Sequence, residues 1–129
     1  KIAALASVFD QRWATILLMA LAGRCALIIH LALLPSARAE GGLGAVFKQS
    51  GAWLQAIWAL VVISVVGWLI GDLVGLIACG SAMLVTLLFS AWCYRKIGGF
   101  TGDTLGAVCE LTEVVTALVM AAWTYGKFS

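Results

Sequence analysis

An all-α, polytopic integral membrane bundle is the fold class that this chain predicts, and three observations carry the prediction. The 129 residues are 64% hydrophobic and 11% charged, with a mean hydropathy of +1.09, whereas soluble domains are about a quarter charged. Apolar runs reach the roughly 20 residues needed to cross hydrocarbon. There is one proline, and in lipid every backbone N–H and C=O must find an internal partner, which a helix supplies within its own segment. The whole chain, 1–129, reads as a single transmembrane domain.

About four transmembrane helices are expected, near 13–34, 52–70, 73–94 and 104–125. The first contains Gly23-Arg24 and His30, and the glycine–arginine pair is a point where it can break into two shorter helices. Ile2–Phe9 is apolar but too short to span, so it reads as a truncated amino-terminal helix and the chain as the rear part of something longer. Asp10-Gln11-Arg12 is a short turn, Pro35 to Gly51 the longest polar connection, Gly71-Asp72 a tight corner and Arg95 to Asp103 a glycine-rich loop. The second and fourth of these connections carry Arg38, Lys48, Arg95 and Lys96, against Arg12 and Lys127 on the other side. Basic residues in short loops mark the cytoplasmic face. Gly67, Gly71 and Gly75 are spaced by four, as in close-packed membrane helices.

Net charge +2 is too small to argue for nucleic acid, and none is expected as a partner. Cys25, Cys79, Cys93 and Cys109 lie in apolar segments without metal-knuckle or redox spacing, so they read as small packing residues. The chemistry gathers instead in Gly98-Gly99-Phe100-Thr101-Gly102-Asp103-Thr104-Leu105-Gly106-Ala107, a glycine-rich polar loop opening into an apolar helix. Bare backbone at Gly98, Gly99 and Gly102, the hydroxyls of Thr101 and Thr104 and the N–H groups of a helix start make a phosphate cradle. Asp103 there either caps the helix or holds a divalent cation, magnesium being usual with oxygen ligands. The sequence leaves both open.

Glu110 follows seven residues later on nearly the same face and Glu113 one turn further, roughly 10 and 15 Å below the helix start. Acids at that depth cost several kcal/mol unless paired, and they face a bundle interior or a wet cavity. Arg24 is the matching basic residue of the first span. Arg38, beside Gly41-Gly42-Leu43-Gly44, offers a guanidinium fork suited to phosphate. His30 near a helix end reads as a histidine bonded to backbone.

The stretch Gly98 to Ala107, followed by Glu110 and Glu113, closely resembles the carboxy-terminal signature of the cobalamin synthase family, the adenosylcobinamide-GDP ribazoletransferases. Gly23-Arg24 and the Ala37-Arg38 to Gly42-Leu43-Gly44 stretch are similar to the second half of that family in the same order, with the specific part confined to 98–113. The resemblance implies a polytopic, magnesium-dependent phosphotransferase of the bacterial inner membrane with its active-site loops facing the cytoplasm. Its late step in cobalamin biosynthesis joins adenosylcobinamide-GDP to α-ribazole, or its 5′-phosphate, and releases GMP. Combined with the reading of the residues, it points to Asp103 and Glu110 for catalysis, Asp103, Glu110 and Glu113 for the metal, and Arg24, Arg38, Gly98, Gly99, Thr101, Gly102 and Thr104 for substrate phosphate. The family's front half carries an Asp-rich magnesium motif, whereas Asp10, Asp72 and Asp103 stand isolated here. The chain therefore resembles a carboxy-terminal half whose missing amino-terminal half is its first partner, and which is inactive alone. A homo-oligomer is compatible with this reading. The competing reading is a transporter or channel subunit with Arg24, Glu110 and Glu113 as an ion relay, which makes no use of the glycine loop.

Overall fold

In the computed structural model, residues 12–34 and 51–128 are described. They form three helices: α1 (Arg12–Leu33), α2 (Ala52–Ile97) and α3 (Gly102–Phe128). The expected stub before residue 10, Arg38 and the rest of the 35–50 connection lie outside the described residues.

All three helices are long and apolar enough to cross a membrane, so the class is all-helical as expected, but the count is three where four were expected. The difference lies at residues 70–73. The two spans predicted on either side of Gly71-Asp72 form one 46-residue element with a single non-helical residue inside it, Asp72 at φ 48° and ψ −134°. A straight helix of that length would extend about 69 Å, over twice the hydrocarbon thickness. It is not straight. The Cys79 thiol reaches the Ile63 carbonyl at 3.5 Å, and a Cβ on Gly75 would fall 2.9 Å from the Gly67 carbonyl carbon. In an unbroken helix those residues are about 24 and 12 Å apart along the axis, so α2 doubles back at Asp72 into two arms, 52–71 and 73–97. The glycines expected to mediate close packing do so, Gly67 directly against Gly75.

Each helix end has a local cause. Pro35 follows α1 and disfavours helical geometry in the residue before it. Gly98 ends α2 in the left-handed conformation, φ 80°, and its N–H donates to the Tyr94 carbonyl at 3.1 Å. The predicted loop at 95–103 thereby shortens, with Arg95 and Lys96 in the last helical turn. No break occurs at Gly23-Arg24, because α1 runs continuously through it.

One core joins every segment: Leu18, Ala22 and Cys25 of α1, Ala59 and Ile63 of the first α2 arm, Ala78, Cys79 and Ala82 of the second, and Met120 of α3. Mostly small side chains let the helices approach closely, which is how membrane helices associate. Buried hydroxyls are satisfied one turn back, Thr86 on Ala82, Thr112 on Val108 and Thr116 on Thr112. The exterior carries Trp53, Trp58, Trp68, Leu69, Leu73 and Leu88, all more than half exposed. An apolar exterior around a core of small residues suits hydrocarbon rather than water.

Candidate functional site

The glycine loop is the corner between α2 and α3. A second cluster, Leu34, Cys93 and Phe100, with Phe89 and Leu105 against it, seats this corner on the end of α1. Phe100 is its anchor at 7% exposure, and Gly98 and Gly99 bring the chain out of α2 to reach it.

Two hydroxyls build the start of α3. The Thr101 N–H donates to Thr104 Oγ1 at 2.8 Å, and the Thr104 N–H donates back to Thr101 Oγ1 at 3.3 Å. This is the reciprocal exchange of a capping box, with threonine in place of the usual acid at the third position. The Thr104 hydroxyl in turn donates to the Thr101 carbonyl at 2.8 Å, so its one proton is used within the corner. Asp103, exposed in the first turn, is therefore not the cap. Of the two roles open to it in the sequence, capping is taken by Thr101 and Thr104. Gly102 beside it is exposed as well, with nothing within 4 Å of a Cβ built there.

The acids do not all face one way. Glu113 is half-buried and turned toward α1. A Cβ on Gly23 would stand 2.9 Å from its Oε1 and 2.9 Å from Cys109 Sγ, and the Cys109 thiol donates to Glu113 Oε1 at 3.4 Å. Glycine at position 23 is what lets α1 and α3 come this close.

That contact also fixes where the neighbouring charges point. The helices are antiparallel: Leu34 lies by Phe100 and Leu105, while Leu18 and Ala22 share a core with Met120. In antiparallel helices the next residue turns to the same flank of the contact. Arg24, after Gly23, and Glu110, after Cys109, therefore project from the same flank at the same depth. Asp103 lies on the same face as Glu110, about 10 Å nearer the helix start. All three are exposed, on the flank opposite the one that packs on α2. Among the described residues no three His, Cys, Asp or Glu side chains converge as a metal cage. Magnesium does not require one, since it keeps several waters and takes one or two carboxylates plus substrate phosphate. An exposed aspartate at a helix start, not spent on capping, fits that donor set.

His30 departs from its sequence reading. It is wholly buried and bonds to a side chain, Nδ1 lying 2.7 Å from Ser90 Oγ. The Ser90 hydroxyl donates to the Thr86 carbonyl at 2.7 Å, so Nδ1 must be the protonated nitrogen and donate to Ser90. Among the described residues buried Nε2 has no hydrogen-bond partner, a condition that costs about 1–3 kcal/mol. Nothing local could have revealed the pair, because Ser90 is 60 residues away.

The sequence profile described as cobalamin-5-phosphate synthase matches residues 1–121. Two curated proteins, both called adenosylcobinamide-GDP ribazoletransferase, are similar to this chain. The one from Desulforamulus reducens is 37% identical over 89 residues, covering 69% of this chain and 35% of that protein. The one from Geotalea daltonii is 32% identical over 99 residues, covering 77% of this chain and 40% of that protein. The matches thus span well under half the length of those relatives. No solved structure matches.

Proposed function

We propose that this chain, which belongs to the cobalamin-5-phosphate synthase family, serves the late cobalamin-building step that joins adenosylcobinamide-GDP to α-ribazole, or its 5′-phosphate, with release of GMP. The names of its relatives support the substrates. The observation that carries the reading is the shared flank of Arg24, Asp103 and Glu110. A charge at mid-membrane costs at least roughly 2.5–3.5 kcal/mol against lipid, so this flank faces protein or a wet cavity. The remainder of the longer polypeptide, which brings further acids, covers it.

In the reaction the ribazole hydroxyl oxygen forms a bond to the cobinamide-bearing phosphorus, its proton leaves, and the bond from that phosphorus to the GMP oxygen breaks. Such transfers depend on positioning and charge rather than covalent help from the protein. The α3 N-terminus at exposed Gly102 receives phosphate oxygens on backbone N–H groups, and the Thr101 hydroxyl adds a donor. Gly98, whose own N–H is spent on the Tyr94 carbonyl, and buried Gly99 shape the corner behind it. Arg24, with Arg38 from the 35–50 connection, holds the diphosphate by its planar fork. Asp103 and Glu110 are the carboxylates for magnesium, with Glu113 bracing the α1–α3 contact behind them. Magnesium, when bound, neutralises diphosphate charge. The glycine loop faces the cytoplasm of the bacterial inner membrane, where nucleotides are found. An ion-relay subunit would need the same charges but leaves the capped glycine corner without a task.

The test is Arg24→Lys in the protein in its native membrane. It keeps the charge and loses the fork, so turnover should fall by about 10- to 100-fold, the value of a charged hydrogen bond, with the protein accumulating normally. Undiminished GMP release removes Arg24 from the site.

A further inference from the structure

The histidine buried beneath the glycine corner has no place in the chemistry above, and three features set it apart. Its Nδ1–H is held by Ser90, whose own proton is fixed on Thr86, so the ring has one tautomer. Its other nitrogen is buried without a partner among the described residues, an arrangement that needs a reason. Leucine would fill that space at no polar cost, so packing alone does not account for imidazole.

Its location supplies the reason. Phe89, which precedes Ser90, lies 5.9 Å from the His30 ring, centroid to centroid, and packs on the Leu34–Cys93–Phe100 cluster that seats the loop. From the other side, the Leu34 N–H donates to the His30 carbonyl at 3.1 Å. The bond to Ser90 thus ties α1 to the second arm of α2 beside the cluster that holds Phe100.

We propose that His30 is a positioning residue: its bond to Ser90 locks the α1–α2 junction on which the Gly98–Thr104 corner rests, and so holds the backbone N–H groups in place for the diphosphate. This rests on the reading of that corner as the substrate site. The residue acts through Ser90, Phe89 and Phe100 and touches no substrate.

Steady-state kinetics of GMP release from adenosylcobinamide-GDP, measured on the protein in its native membrane, tests it. His30→Leu keeps the packing but lacks the lock, so KM for adenosylcobinamide-GDP should rise about tenfold, one good hydrogen bond's worth. The unfolding temperature should hold or increase, which a purely structural role would not allow. His30→Asn, whose amide N–H can occupy the Nδ1 position, should recover most of the lost KM. Because the chain holds one histidine, ¹⁵N-histidine spectra of it in nanodiscs should show Nδ1 protonated and Nε2 bare. A wild-type KM in His30→Leu, or a protonated Nε2, overturns this proposal alone. Wild-type membranes that release no GMP overturn the reading of the site, and this proposal with it.

Discussion

At Thr101 and Asp103 one hydrogen-bond pattern separates two roles that look alike in sequence. An acid at a helix start can cap or can bind a ligand, and residue type alone does not choose. The reciprocal Thr101–Thr104 exchange chooses. Removing it by Thr101→Ala should cost about 1 kcal/mol of stability, while Asp103→Asn leaves stability unchanged. Thermal unfolding in detergent checks both, and a destabilised Asp103→Asn would return the capping duty to that residue. The loop and its acids stood out in the sequence as a candidate site because glycines, hydroxyls and carboxylates cluster there within an otherwise apolar chain. That Glu113 would face Gly23 while Glu110 faces outward was not legible, since a 60° difference between them acquires meaning only once α1 is in place. His30 was misread for a similar reason: its partner comes from another helix.

Helix α2 shows what run length can and cannot tell. Both apolar stretches and the corner between them at Gly71-Asp72 were visible in the sequence. Their fusion into one element was not, because the reversal occupies the backbone of a single residue at φ 48°, with no polar connection to mark it. The hairpin depends on backbone meeting backbone at Gly67 and Gly75. A methyl group at position 75 would meet the carbonyl of Gly67, which cannot swing aside as a side chain can. Gly75→Ala should therefore cost roughly 3 kcal/mol or more. Gly80, in the same arm, has nothing within 4 Å of a Cβ, and Gly80→Ala should be neutral or stabilising by about 0.5–1 kcal/mol. Equal unfolding temperatures for the two variants would mean that the arms do not pack at Gly67 and Gly75.

For the molecule as a whole, the apolar exterior and the charged flank divide the surface into a part that suits lipid and a part that does not. The proposed orientation rests on the basic residues of the connections. In a variant without the four native cysteines, Lys96→Cys should be labelled from the cytoplasmic side and Lys127→Cys from the opposite side, because α3 crosses once between them. Labelling of both from one side would contradict the topology. We propose that Asp103 and Glu110 form the metal site at which the ribazole hydroxyl displaces GMP from adenosylcobinamide-GDP. Its most direct test is the rate of GMP release by the protein in its native membrane, measured against magnesium concentration for Asp103→Asn and Glu110→Gln. These substitutions keep shape and remove charge, and the cap at Thr101 is untouched. Each variant should lose at least about 100-fold in rate, with the remaining activity shifted to higher magnesium. Wild-type rates and an unchanged magnesium dependence in both would contradict it.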